Sequence, residues 1–368
     1  MSTAWQFYIT TVLIYLGVDV IACWGLNLQY GYTGILNFAY IVFQSAGAYT
    51  YAVLTLGPAP RASFQQYIAG ANLPFPLPIL AAGAVGGVLS AIIGTVGLRR
   101  LRSDYQAMVL LVISLIATVV ITNATGIFNG AAGLALIPKP LQSGLNLTLI
   151  GYQWFYVAFV ALCCLIIYWF VRRITQAPFG RSLRAVRDHE QAAASLGKNV
   201  TGLRMISFVT GGVIAGISGA LLVGFISAWS PGSWLYQETF VYFTALIVGG
   251  VANNAGAALG ALLVPVAFLE ATRFLPPVGG PGFIEALQWV TVGLLTLGFL
   301  WFRPRGVLPE RTRVMALPEV AAMARPDATR LPVGGPQAAD PTAAPVARNP
   351  TVEDPAATSG TEPAGGRP

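Results

Sequence analysis

Charge is scarce in this sequence. Asp, Glu, Lys and Arg make up 10% of its 368 residues, hydrophobic residues make up 55%, and the mean hydropathy is +0.66. A water-soluble chain of this length needs more charge on its surface, so the composition is that of a protein dissolved in lipid. Histidine is nearly missing: His189 stands alone. With it go the usual metal-ligand spacings, and there is no glycine-rich loop closing on Lys-Ser or Lys-Thr and no nucleophile, base and acid set. Such a chain is not expected to hydrolyse anything by itself. Active transport would draw on an ion gradient or on a separate ATPase. The three cysteines, Cys23, Cys163 and Cys164, fall inside apolar runs, where they read as small apolar filler and not as disulfide partners. The net charge of +7 is spread over loops, with no compact basic domain, which excludes a nucleic-acid partner.

What is present in abundance is long apolar windows, each able to cross a hydrocarbon core of about 30 Å as a helix. We place them at 5–28, 34–56, 78–98, 105–123, 153–171, 204–227, 238–252, 256–275 and 283–302. The expected fold is all-α, a polytopic transmembrane bundle of about eight to ten helices. The second window carries Asn37, Gln44 and several glycines, and the seventh is short, so either is a candidate for a broken or re-entrant segment. The first window starts almost at Met1 without a preceding cation or a cleavage site behind it, and is expected to be a retained helix. Of fifteen cations before residue 306, twelve fall in loops on one side, which the positive-inside rule makes cytoplasmic; Arg61, Lys139 and Arg273 fall on the other. Parity then puts Met1 outside and the carboxyl end inside. Residues 1–305 form the membrane domain, and 306–368, rich in Pro, Ala, Gly and Thr, are expected to be a disordered cytoplasmic tail.

One long polar segment is enclosed by the apolar ones. Residues 178–208 carry Arg181, Arg184, Arg187, Lys198 and Arg204 with Asp188 and Glu190. On a continuous helix over 181–197, Arg181, Arg184, Arg187, Asp188, Gln191 and Ser195 share one half, and Leu183, Val186, Ala193, Ala194 and Leu196 the other. Two readings stand: an amphipathic helix in the lipid headgroups, or a small-faced element docking into a protein groove. The alanine-rich apolar half and the carboxylate of Glu190 in its middle favour docking.

The segment GRSLRAVRDHEQAAASLGKNVTGLRMISFVTGGVIAGISGALL resembles the cytoplasmic coupling loop of permeases in ATP-binding-cassette importers for branched-chain amino acids. Gln191, Ala192, Ala193 and Gly197 stand where the wider family has Glu-Ala-Ala and a following Gly, with Gln in place of Glu. Residues 31–50 (GYTGILNFAYIVFQSAGAYT), 101–116 (LRSDYQAMVLLVISLI), 123–140 (NATGIFNGAAGLALIPKP), 247–263 (IVGGVANNAGAALGALL) and 301–310 (WFRPRGVLPE) are similar to further family segments, in order. The resemblance implies a type II importer-like permease working beside a second, homologous permease. It also implies two cytoplasmic ATP-binding subunits and a periplasmic or lipid-tethered solute-binding protein. It implies further that no cofactor is bound directly, that ATP sits on the partners and that the location is the bacterial inner membrane. On that footing, Arg181, Arg184, Arg187, Asp188, Glu190 and Gly197 are the expected docking surface around a coupling loop of about 172–204, although plain positive-inside topology accounts for several of the arginines equally.

The solute path is less marked. Asp19 is an acid in mid-span, where burial is costly, and either serves function or pairs within the bundle. Asn27, Asn37, Gln44, Thr122 and Asn123 are polar groups in or beside glycine-rich stretches, where a broken backbone exposes donors and acceptors or where side chains bridge helices. Glu238 and Glu270 lie near outer span ends, and the glycines 211, 212, 216 and 219 have close-packing spacing. The same architecture serves importers of urea, short amides or aromatic acids. A secondary transporter or channel without ATP is the rival class, and a membrane enzyme is disfavoured by the missing catalytic set.

Overall fold

The computed structural model describes residues 3–58, 65–100, 103–142, 147–273 and 283–310 of the chain. They form a helical bundle. Six segments are long and apolar enough to cross a membrane: Thr3–Gly31, Leu77–Leu98, Tyr105–Asn123, Leu149–Gln176, Val200–Ile226 and Asn254–Thr272. The first comprises α1 (Thr3–Leu26) and a π-helical turn (Asn27–Gly31). Then come α2 (Tyr40–Thr55), α3 (Leu77–Arg100), α4 (Ser103–Asn123), the short α5 (Thr125–Phe128) and α6 (Leu149–Gln176). The polar segment holds α7 (Pro178–Asp188) and α8 (Glu190–Ser195), and leads into α9 (Val200–Ile226). After it follow α10 (Tyr236–Gly249), α11 (Asn254–Ala261), a π-helical turn (Leu262–Phe268), α12 (Leu269–Arg273) and α13 (Phe283–Phe302).

The two weak windows are the two short helices. α2 has 16 residues and α10 has 14, about 24 and 21 Å at 1.5 Å per residue, less than the hydrocarbon thickness. Each is completed by irregular backbone at the same end of the bundle, residues 32–39 before α2 and 250–253 after α10. Protein covers both stretches, which is the condition under which non-helical backbone is tolerated at membrane depth. The second π-helical turn contains Pro265, whose missing N–H breaks the regular ladder of the eighth window.

One end of the bundle gathers Gly31, the α6–α7 junction, the α10–α11 turn and residues 303–310. Val307 N–H donates to Val248 O (2.8 Å) and Leu308 N–H to Gly249 O (2.9 Å). Gly250, at φ +126°, closes this turn, and a Cβ there would collide with the Leu308 carbonyl. Val307 and Leu308, within the range 306–368 expected to be a tail, are thus hydrogen-bonded onto α10; residues 311–368 lie outside the described residues. Every cation whose side chain is described, except Lys139, lies at this end, and α1 runs toward it. At the other end the connections interlock: β1 (Leu134–Ala135) pairs antiparallel with β2 (Ala228–Trp229), and Tyr67 bridges to Phe128. Lys139 is at this opposite end, its ammonium over the Tyr152 ring; Arg61 and the Arg273 side chain lie outside the described residues.

The centre is the crossing of α2, α3 and α9, and it depends on absent side chains. A Cβ on Gly47 would collide with the Gly216 backbone, and one on Gly219 with the Gln44 carbonyl. Such contact lets backbones approach closely and accumulate dispersion contacts, the main attraction available where lipid is as apolar as the helices. Around it Phe43, Tyr49, Tyr51, Phe208 and Trp234 are fully buried. Gly216→Leu should destabilise the protein by about 1–3 kcal/mol or more, read as a lowered midpoint of thermal unfolding in detergent. An unchanged midpoint would contradict this packing.

Candidate functional site

The polar segment is built by one stop and one break. Pro178 ends α6 and starts α7 at its first helical position, where a missing N–H costs nothing. The single helix expected over 181–197 is two helices, because His189 takes an extended conformation (φ −150°, ψ 91°) between them. Glu190 opens α8, where a carboxylate meets the positive end of the helix dipole. The break rotates the second half. Leu183, Val186 and Ala193 are buried, whereas Ala192, Ala194 and Leu196 are exposed, Leu196 at 82%. Gly197, at φ +75°, closes α8: its own N–H reaches Ala194 O (2.9 Å) and that of Lys198 reaches Ala193 O (3.1 Å). Asn199 then caps α9, accepting from Gly202 N–H at 2.9 Å.

The arginines do not share one exposed half. Arg181 faces solvent. Arg187 turns inward: Nη1 donates to Gly31 O (2.6 Å), Nη2 to Glu310 Oε2 (2.9 Å) and Nε to Asp188 Oδ1 (2.9 Å). Arg184 lies over the Tyr32 ring, with its Nε 3.0 Å from Glu310 Oε1, a charge contact without hydrogen-bond alignment. Glu310 thus holds two guanidiniums, and its side chain is only 18% exposed. Burial alone would lower the Arg187 pKa, but Asp188 and Glu310 more than offset it and hold the group above the ordinary arginine value. Glu190 is engaged on the other side by Arg204, whose Nη1 is 3.3 Å from both carboxylate oxygens and whose Nη2 donates to Gln106 Oε1 (3.3 Å). The surface left open at the tip is Gln191, Ala192, Ala194, Leu196 and Gly197.

Beneath α7 lies the broken backbone of the first two spans. Asn27 Oδ1 accepts from Ala252 N–H (3.0 Å) and its Nδ2 donates to Asn254 Oδ1 (3.3 Å). Asn37 Nδ2 donates to Gln29 Oε1 (2.7 Å), and Gln29 Nε2 to Phe208 O (2.7 Å). These asparagines bridge interrupted segments. Thr122 and Asn123 lie apart from them and bond the backbone of their own helix, at Thr118 O and Val119 O (2.8 Å each).

Asp19 and Gln44, in contrast, come together. Tyr242 donates to Asp19 Oδ1 (3.3 Å), and Gln44 Nε2 donates to Tyr242 Oη (3.2 Å) and Ser218 Oγ (2.9 Å). Both line a cavity of about 450 Å³ together with Glu238 and Glu270. A second cavity of about 600 Å³, at the cation-rich end, is lined by Tyr32, Arg172, Arg184, Asn254 and Glu310. Sequence reasoning assigned no role to Gln29, Asn254, Tyr242 or Glu310. Glu310 closes the conspicuous RPRGVLPE run, but its partners stand more than 120 residues away.

This is a polytopic helical membrane protein whose bundle carries an amphipathic segment clamped to its cation-rich face. The family model for the branched-chain amino acid transport system / permease component matches residues 8–297, and the chain belongs to that family. It is similar to the high-affinity branched-chain amino acid transport system permease protein LivM of Escherichia coli, 28% identical over 84% of this chain and 73% of the relative. It is also similar to the probable branched-chain amino acid transport permease protein LivM of Methanocaldococcus jannaschii, 28% identical over 82% of this chain and 94% of the relative. A more distant relative is the guanosine ABC transporter permease protein NupQ of Bacillus subtilis, 26% identical over 59% of this chain and 67% of the relative. No solved structure matches. The family's members are transport permeases and not enzymes, in keeping with the missing catalytic set.

Replacing Glu310 with Gln removes the charge that holds both guanidiniums. The variant should be cut faster by trypsin after Arg184 and Arg187 in the purified protein; an unchanged cleavage rate would show that the clamp does not fix α7.

Proposed function

We propose that this chain is one of two permease subunits in an ATP-driven importer of branched-chain amino acids in a bacterial inner membrane. Two ATP-binding subunits dock on its cation-rich face, and a solute-binding protein delivers solute to the opposite face. The observation that carries the reading is the family match along the whole bundle combined with the open tip of α8. An 82% exposed leucine beside Gln191 and Ala192 is an apolar contact that none of the described residues covers, and a partner's groove supplies that cover. Movement of docked ATPases would enter the bundle through α7, where Arg187 grips the end of the first span.

The experiment is uptake by proteoliposomes carrying this chain with its co-encoded partners. Leucine should accumulate only with ATP and the binding protein present. Uptake by this chain alone would instead make it a secondary transporter or channel. Leu196→Asp should lower recovery of the ATP-binding subunits with the permease by about tenfold or more, without changing the thermal unfolding midpoint of the isolated chain. Undiminished recovery would exclude the tip as the docking surface. The guanosine permease among the relatives supports a second reading, import of a different small solute through the same architecture. Testing which solute the co-encoded binding protein retains separates the two.

A further inference from the structure

The cavity beside Asp19 has a composition that the helix packing does not explain. It lies on the side of the bundle facing the interlocked loops, between α1, α2, α9, α10 and the π-helical turn after α11. Three of its wall residues are carboxylates: Asp19 in mid-span, Glu238 in the first turn of α10 and Glu270 in α12. No cation is among its described wall residues. The rest of the wall is largely aliphatic, with Val12, Ile41, Leu222, Val241 and Val266. All three are half-buried, and acids at membrane depth are expensive and are kept where something positive or polar meets them.

Two further wall residues point to a ligand independently of the acids. Gln44 is 1% exposed, and its Nε2 is used twice, yet its Oε1 has no hydrogen-bond partner. Trp229 is 3% exposed, and its indole N–H has no partner either. A buried acceptor and a buried donor without partners, on two residues that line the cavity, are costly unless a group entering it completes them.

We propose that this cavity is the membrane-embedded subsite for an aliphatic amino acid. The ammonium group is accepted by Asp19 and the Gln44 carbonyl, an oxygen of the carboxylate receives the Trp229 N–H, and the aliphatic wall covers the side chain. Tyr242 is a positioning residue: its hydroxyl joins Asp19 to Gln44 and so fixes both acceptors. Glu238 and Glu270 make the approach negative, which draws in an ammonium group and disfavours solutes of net negative charge such as aromatic acids. The assignment rests on the reading of the chain as an amino-acid permease.

The test uses the complete importer in proteoliposomes, with its binding protein loaded with leucine, and reads leucine transported per ATP hydrolysed. Trp229→Phe removes one unpartnered N–H and no internal hydrogen bond, with some loss of ring packing; Asp19→Asn keeps shape and removes the charge. Each should lower that ratio by about tenfold, with the assembled complex quantified in every preparation. Wild-type ratios in both variants, with leucine uptake intact, would overturn the subsite and leave the permease reading standing. Loss restored by added sodium or calcium ions would assign the carboxylates to an inorganic cation and overturn the ammonium assignment. A wild-type importer that moves no aliphatic amino acid would overturn the permease reading and the subsite with it.

Discussion

Hydrocarbon offers no hydrogen bonds, and that constraint shapes this protein more than any other. Every backbone N–H and C=O that leaves a helix inside the bundle must find a partner from the protein itself. Near the cation-rich end the chain leaves its helices at residues 32–39, just after the π-helical turn 27–31, and at 250–253. Both interruptions are closed by amide side chains. Gln29 joins Asn37 to the Phe208 carbonyl, Asn27 joins the Ala252 N–H to Asn254, and Trp24 Nε1 reaches the Asn254 carbonyl at 2.8 Å. Arg187 then completes the network from outside by donating to Gly31 O. A group in the surface segment is thereby an obligatory partner of the buried break. Displacing α7 must either carry the end of the first span with it or leave a carbonyl unsatisfied.

This arrangement separates two ends with different chemistry. The cation-rich end is a tightly bonded junction of amides, two arginines and Glu310. The opposite half holds a cavity whose polar atoms are incompletely used. Asp19 is 12 residues from Gly31 on the same helical run, about 18 Å along the axis, so a rigid first span links the clamp to the cavity wall. The close glycine contacts between α2 and α9 reinforce that link: Gln44, on the cavity wall, is in the helix whose backbone touches Gly219. A bundle packed so closely repacks in discrete steps and not by gradual deformation.

Much of this could be read in the residues. Of nine hydropathy windows six coincide with the long apolar helices, and glycines with polar neighbours marked the second, and shortness the seventh, as candidates for interruption. Asp19 and Gln44 were legible as polar groups at the wrong depth. The second half of the polar segment, from Gln191 to Leu196, was misplaced because helix phase was carried through His189, and nothing in local periodicity reports an extended residue that still donates its N–H to Ala185 O (3.1 Å). Glu310 was missed for a different reason: its partners Arg184 and Arg187 are distant in sequence, and the run containing it borders a composition typical of disorder. Trp229 was invisible as well, since a tryptophan at the end of a span usually reads as an interface anchor and only the folded neighbourhood shows its N–H without a partner.

The central claim is that Arg187 holds the broken first span in place. Amide hydrogen exchange over residues 27–37, compared between the wild-type chain and Arg187→Leu, tests it most directly. The account predicts that exchange in this stretch quickens by about tenfold or more, while the α2–α9 crossing around Gly47 and Gly216 keeps its protection. Equal protection of residues 27–37 in both proteins would contradict it.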